Sequence, residues 1–497
     1  MTDTFVRVAP DSTGARIDAG QLSVGGNTVA RQRIVIASDS VAGGVAPVDS
    51  VTGLSVNVTN ASFPVTQSGN FTVQPVTFAS AQPVLFNTAQ PVTQSGDWGV
   101  TFNDGPSIDA FSRLRVSDTT TLFDSTAQYG NNALVWESAV VGTGVLSNST
   151  ATSAVQLSTG GTASGAKCTR QTQVYFRYQP GRSQLVLQTF VMGAASTNLR
   201  RRVGYFDDNN GVYLEQTSTG PSVVIRSATS GSPVNTSVAQ AAWNRDPLDG
   251  TGDSGITLDL TKTQILVIDL QWLGVGRVRI GFDINGTIYY CHEFLHANTT
   301  FTTVYMQTAS LPLRQEIENT GITSGTNTLQ AICGAVIAEG GFDAGRGQQF
   351  AAGNAATGIS VTTRRPIYSI RAKTTGPSSV RNTGQIIVED INMLAGTKDI
   401  YYEIVKSPTS LTGASWAAYD ATNSLVEVDI AATAISGGQV LAAGYCTAGQ
   451  TARISLSAYL PLVYTGLNST QHSLSVVMTS LSTATTSYAN ITWREFF

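Results

Sequence analysis

Arg277-Val278-Arg279-Ile280-Gly281-Phe282-Asp283-Ile284-Asn285-Gly286-Thr287-Ile288-Tyr289-Tyr290-Cys291-His292-Glu293-Phe294-Leu295-His296 is the stretch whose reading decides the fold. From Arg277 to Ile284 polar and apolar residues alternate, which buries one face of a strand and wets the other. Asn285-Gly286 supplies a two-residue hairpin turn, and Thr287–Tyr290 is the returning strand. The stretch ends in a literal H-E-x-x-H string, the signature of zinc peptidases. That chemistry needs a helix, on which residues i and i+4 lie about 6 Å apart on one face. Here β-branched, aromatic and turn-forming flanks continue the hairpin, and four residues of strand span about 13 Å. Two nitrogens so far apart cannot both sit about 2.0–2.1 Å from one zinc. His472 is the only other histidine in the chain. The expectation is a strand with His292 and His296 on one face, and no metal or cofactor.

Working outward, strand signals recur. Gln173–Tyr178, Ser183–Met192 and Thr263–Trp272 are rich in β-branched and aromatic residues. Asp207-Asp208-Asn209-Asn210-Gly211 separates Arg202–Phe206 from Val212–Glu215 and reads as a second hairpin. A calcium loop would need a carboxylate well downstream, and Glu215 is too close. Beyond the glycine- and alanine-rich Ala338–Gly358, a fresh series begins at Arg365–Arg371. It continues through Gln385–Asp390, Ile400–Val405, Leu425–Ile430, Ala452–Leu460, Ser473–Met478 and Tyr488–Trp493. Long stretches with helical spacing are missing. The predicted architecture is all-β: an extended N-terminal arm with short β repeats, then two β-sandwich domains of jelly-roll or lectin-like type. The expected boundaries are an attachment segment over 1–50, a repeat arm over 51–104, and sandwiches over 105–345 and 359–497.

The arm is nearly free of charge and repeats itself. Pro64-Val65-Thr66-Gln67-Ser68-Gly69-Asn70-Phe71 recurs as Pro91-Val92-Thr93-Gln94-Ser95-Gly96-Asp97-Trp98. Gln-Pro-Val recurs at Gln74-Pro75-Val76, Gln82-Pro83-Val84 and Gln90-Pro91-Val92, eight residues apart. Proline cannot donate to a strand ladder, so these pieces belong at sheet edges or strand starts. Each is too short to bury a core alone and needs neighbours to stack on. Two readings stand: an assembly arm docking through Pro64, Val65, Phe71, Pro75, Val76, Pro83, Val84, Pro91, Val92 and Trp98, or a flexible linker.

Composition narrows the classes. Of 497 residues, 41% are hydrophobic, enough for a sizeable core. Only 12% are charged, about half the usual share. A net charge of −4 leaves no basic footprint for nucleic acid or anionic lipid. The one compact basic run, Arg200-Arg201-Arg202, is expected to be a solvated rim. Cys168, Cys291, Cys333 and Cys446 are widely spaced and show no C-x-x-C pairing, so reduced thiols are expected. Neither a signal peptide at the first residues nor an apolar run of about 18 residues is seen, so no membrane insertion is expected.

Several segments resemble known proteins as a group. Gly14–Gly20 followed by Gly26–Ile36, and the PVTQSGNF and PVTQSGDW repeats, resemble the openings of bacteriophage virion structural proteins. Asp109-Ala110-Phe111-Ser112-Arg113-Leu114-Arg115-Val116-Ser117 with Thr121–Asp124 is similar to a block common among them. The stretch from Gln271–Gly276 to Pro312–Arg314 is similar as well. The resemblance spans most of residues 1–340. It implies a fibre, collar, tail or capsid-decoration component, assembled in the host cytoplasm and carried in the virion, without specifying its place. It offers no catalytic residues.

Enzyme signatures are weak in the sequence. A glycan hydrolase needs two carboxyl groups about 5–9.5 Å apart, and the sparse Asp and Glu residues identify no such pair. Gly274-Val275-Gly276 lacks the third glycine and the strand–turn–helix setting of a nucleotide fingerprint. Trp243, Trp272, Tyr289, Tyr290 and Trp416 suit either sugar stacking or core packing. The expectation is a structural particle component that is not an enzyme, with no catalytic residues. Its expected partners are copies of itself, a trimer foremost, and other virion proteins. The alternative is an adhesin that binds host-surface carbohydrate.

Overall fold

The computed structural model describes residues 4–7, 16–32, 48–49, 53–54, 108–112, 114–115, 118–341, 347–456 and 461–497. The ten predicted assembly residues, from Pro64 to Trp98, lie outside these. Two compact units comprise residues 1–98 and 99–497. In the first, Thr4–Arg7, Arg16–Val24 and Asn27–Gln32 form an antiparallel three-stranded sheet. Its second turn is Gly25-Gly26, with φ of 59° and 82° that glycine adopts without strain.

The second unit is antiparallel β throughout its described residues, with helix confined to the single 3-10 turns Gln240–Ala242 and Pro377–Ser379. The fold is thus an all-β one built from packed sheets, as the alternating patterns require. In the first sandwich one sheet has seven strands, in the order Val234–Ala239, Gly220–Ser227, Gly211–Thr217, Leu199–Phe206, Leu313–Asn319, Lys167–Thr172, Trp136–Val141. The facing sheet runs Thr287–Phe294, Val278–Ile284, Gln264–Leu270, Ser183–Val191, Thr328–Glu339, Ala154–Ser158, Val145–Ser149. Thr119–Thr126 also pairs with Thr328–Glu339. The hairpin that opened the sequence reading is present, with Ile284 opposite Thr287 and φ of 56° at Asn285 and 84° at Gly286. Two positive φ values give the turn a twist that matches the flanking strands.

Phe190, Tyr205, Leu157, Leu214, Ile280 and Phe282 interdigitate in the first core. Polar residues at inward positions are satisfied by one another. Gln315 donates to Gln188 Oε1 at 2.6 Å, Gln188 donates to the Gly204 carbonyl at 2.6 Å, and Arg170 donates to Gln315 at 3.3 Å. Such pairing removes the penalty of burying them. Gln173–Tyr178 is not a strand as expected. It is an irregular crossing with one bridge, Phe176 to Leu311, and its buried Tyr175, Phe176 and Tyr178 explain the aromatic signal.

The second sandwich packs a sheet of Gln348–Gly353, Thr485–Phe496, Gln385–Leu394 and Thr451–Ser455, with Ile359–Val361 added to Thr485–Phe496, against a six-stranded one. The latter runs Ala417–Ala418, Val426–Asp429, Arg365–Ala372, Ser473–Ser480, Ile400–Lys406, Gln439–Cys446. Trp493, Ile370, Ile404, Val476 and Ile491 fill its core. Gln348–Gly353, within the glycine- and alanine-rich stretch, is a strand of this sandwich. Glu137 ties the sandwiches together: its carboxylate accepts the backbone N–H groups of Gly466, Leu467 and Asn468 at 2.7, 2.9 and 2.9 Å. Gln385 adds a bond to the Tyr175 carbonyl at 2.7 Å.

Candidate functional site

The segment that leads into the first sandwich is a clamp. Ile108 bridges Leu114, and Asp109 closes the turn between them by accepting the Phe111 N–H at 2.9 Å. Ser112 sits at a φ of 62° in the same turn. Arg279 donates to the Ile108 carbonyl at 2.6 Å, and Arg277 donates to the carbonyls of Ala110 and Asp109 at 3.2 Å each. In return Arg115 reaches into the eight-stranded sheet, pairing with Asp269 and, at 3.4 Å, with Glu339. Asp269 also takes Arg279 at 2.5 Å and the Tyr290 hydroxyl at 2.9 Å. Ser183 Oγ lies 3.2 Å from Asp109 and 2.5 Å from Glu339.

The three carboxyl groups Asp109, Asp269 and Glu339 thus face Arg115, Arg277 and Arg279. Burial raises the Glu339 carboxyl above its ordinary range, and the Asp269 charge adds to it. Charge balance is what makes this burial tolerable, since removing one partner would strand an ion in an apolar setting. Sequence reasoning missed Asp269 and Glu339. The available signal was the lone Asp in the apolar run Gln264–Leu270, matched across the ladder by Arg279.

The H-E-x-x-H residues lie at the end of the strand Thr287–Phe294 and just beyond it. His292 Nδ1 accepts the Asn244 N–H at 3.2 Å, His296 Nδ1 is 2.8 Å from the Gly276 carbonyl, and Glu293 pairs with Arg245 at 2.7 Å. Burial lowers both histidine pKa values. Phe294 intervenes, its ring 4.5 Å from His292 and 6.5 Å from His296. Among the described residues no three His, Cys, Asp or Glu side chains gather into a metal-holding group. His296 instead stacks on Tyr305 at 3.9 Å and meets the half-exposed Phe301 edge-on at 5.1 Å. These rings border a cavity of about 370 Å³, whose other wall carries Ser227, Thr229, Ser230, Thr236 and Thr303. Aromatic faces beside hydroxyl groups suit a ligand with one apolar and one polar face.

Other sequence candidates fall elsewhere. Trp243 is buried in the first core, Trp272 and Tyr289 pack against it, Tyr290 joins the clamp, and Trp416 lies under Arg371 at 4.4 Å. Asp207 accepts the N–H groups of Asn209 and Asn210 at 2.8 Å each, a tight turn rather than an ion loop. The arginine run is not a solvated rim: Arg201 is 4% and Arg202 5% exposed. Arg202 bonds Glu215 at 2.7 Å and Glu316 at 3.0 Å, and Arg201 bonds Gln216 at 2.9 Å and the Ala194 carbonyl at 2.8 Å. A sheet interior can hold these guanidinium groups because acceptors on neighbouring strands face them in register. Arg314, Lys167 and Arg202 surround the buried Glu316 and offset its desolvation, holding its carboxyl down at about 2. The four cysteines are unpaired, with only Cys333 exposed.

No protein-family model and no curated protein sequence matches the chain. Solved structures do match in fold. The legume lectin-like domain from Entamoeba histolytica is 11% identical, with 41% of this chain and 89% of that one aligned and a TM-score of 0.25. A putative β-glucanase from Mycobacterium abscessus is 9% identical, over 44% and 100% of the chains, with a TM-score of 0.31. A Crh5 transglycosylase is 15% identical, over 46% and 85%, with a TM-score of 0.28. The expectation that this chain is not an enzyme is corrected by these matches. Glucanases and a transglycosylase stand among the structures that match part of the chain.

Proposed function

We propose that this chain is a structural subunit of a bacteriophage particle, which docks through its repeat arm and exposes its β-sandwiches. The clamp supports the reading. The chain leaves the arm and is at once pinned to the eight-stranded sheet by Arg115, Arg277 and Arg279. An arm that carries load needs such a fixed root, and the Glu137 carboxylate links the two sandwiches behind it. Docking proceeds by strand addition, in which arm segments cover unpaired backbone groups of neighbouring sheets. Three copies closing around an axis is the favoured assembly. The test is deletion of residues 51–100 followed by measurement of incorporation into particles. Loss of incorporation is expected, and full occupancy by the truncated subunit rejects the arm.

The second reading is an adhesin for host-surface carbohydrate, and the groove of His296, Phe301 and Tyr305 favours it. A glycan array probed with the full chain and with Phe301→Ala tests it. Binding weakened about tenfold in the variant supports a stacked sugar, a loss of about 1.4 kcal/mol and typical of one aromatic contact. No binding by the unaltered chain rejects it.

A further inference from the structure

A second cavity, of about 340 Å³, lies between the sandwiches, with Ala133, Leu134 and Gln173 on one side and Lys406, Ser407 and His472 on the other. Lys406 ends the strand Ile400–Lys406 and is only 8% exposed. Among the described residues, the buried Arg202, Arg279 and Arg314 face carboxylates, and the buried Arg170, Arg201 and Arg226 are held by amide, carbonyl or hydroxyl oxygens. The Lys406 ammonium has no hydrogen-bonding or ionic partner among the described residues, and no Asp or Glu lines the cavity. The ammonium tip keeps some contact with solvent through the cavity, but partial desolvation without a counter-ion is costly and pulls its pKa below the usual lysine range.

Two neighbours carry polar atoms without partners, although the His472 ring also bonds the Pro461 backbone. His472 is 7% exposed, and its Nδ1 is buried without a partner. Burial and the Lys406 charge hold its pKa down at about 4, so the ring is neutral near pH 7 and adds no second charge. Ser407 Oγ is likewise buried and unpartnered, and Ser407 occupies a left-handed φ of 45°. Non-glycine residues are held in that conformation where the surroundings impose it, often at ligand sites.

We propose that this cavity is a binding site for a small oxyanion, a carboxylate, sulfate or phosphate group, with Lys406 as its counter-ion. The volume admits more than the bare anion and falls in the range of small-molecule sites, so an acidic monosaccharide fits as well as the inorganic ion. The ammonium supplies charge, while the Gln173 and Gln439 amides stand beside it for the rest of the ligand. The site is independent of particle assembly and of the Phe301 groove.

The test is calorimetric titration of the full chain at pH 7 with sodium glucuronate, glucose, sulfate and phosphate, repeated with Lys406→Met. Glucuronate binding without glucose binding, reduced at least tenfold by Lys406→Met, identifies an acidic sugar. Sulfate or phosphate binding with the same dependence identifies the inorganic ion. No binding by any of them, or equal binding to the variant, overturns the site. Thermal unfolding in anion-free buffer gives a second reading. Lys406→Met is expected to melt above the unaltered chain, because it removes an unmatched charge. A lower melting temperature shows that the ammonium already has an internal partner, and overturns the proposal.

Discussion

Arg115 pairs with the fully buried carboxylate of Asp269, 154 residues further along the chain. The contact joins the segment that leads into the first sandwich to the middle of the eight-stranded sheet. Arg115→Met leaves Asp269 with Arg279 and Tyr290 and leaves Glu339 with less compensation. The expected loss is about 3 kcal/mol in urea-induced unfolding. Combined with Asp269→Asn, the cost should fall short of the sum of the two single variants, because both remove one interaction.

Glu137 gathers three backbone N–H groups from the loop of the second sandwich. Glu137→Ala leaves those donors without their shared acceptor, at a cost of at least about 3 kcal/mol. Differential scanning calorimetry is expected to show one transition for residues 99–497 in the unaltered chain and two in the variant. One unbroken transition in the variant would show that Gln385 and the remaining seam suffice.

Glu316 sets an acid limit on stability. Its carboxyl titrates near 2 in the fold against 4.5 for the free group. The unfolded chain therefore takes up the proton first as pH falls. The stabilisation is full above about pH 4.5 and is lost between there and about pH 2, amounting to about 3 kcal/mol. Melting temperatures measured from pH 7 to pH 2 should fall more steeply for the unaltered chain than for Glu316→Gln.

Thiol reactivity should single out one cysteine. Burial pushes Cys168 up to about 11 and raises Cys291 further, so neither forms thiolate near pH 8. Cys333 is exposed on the outer face of its strand. Ellman's reagent should titrate one thiol rapidly in the native chain and four in denaturant, with the fast one absent in Cys333→Ser.

Strand character was legible wherever side chains alternate. Arg277–Tyr290 gave both strands and the turn between them, because Asn285-Gly286 fixes a local geometry that needs nothing from outside. Gln173–Tyr178 misled, since aromatic and β-branched residues signal burial as much as strand. Arg200–Arg202 misled for a different cause. Whether an arginine is solvated depends on what stands opposite it, and Glu215, Gln216 and Glu316 arrive from strands whose register no local pattern encodes.

By itself, then, the sequence determined an all-β chain with hairpins at Asp207–Gly211 and Asn285-Gly286, and a strand end, not a helix, at H-E-x-x-H. Periodicity and turn chemistry are local, and they act within a few residues. Only the tertiary structure decided the rest: that Asp109, Arg115, Asp269 and Glu339 form one buried clamp, that His296 stacks on Tyr305, and that Lys406 faces a cavity without a carboxylate. Those groups come from distant strands, and their charges find partners or fail to find them only when the sheets close on one another.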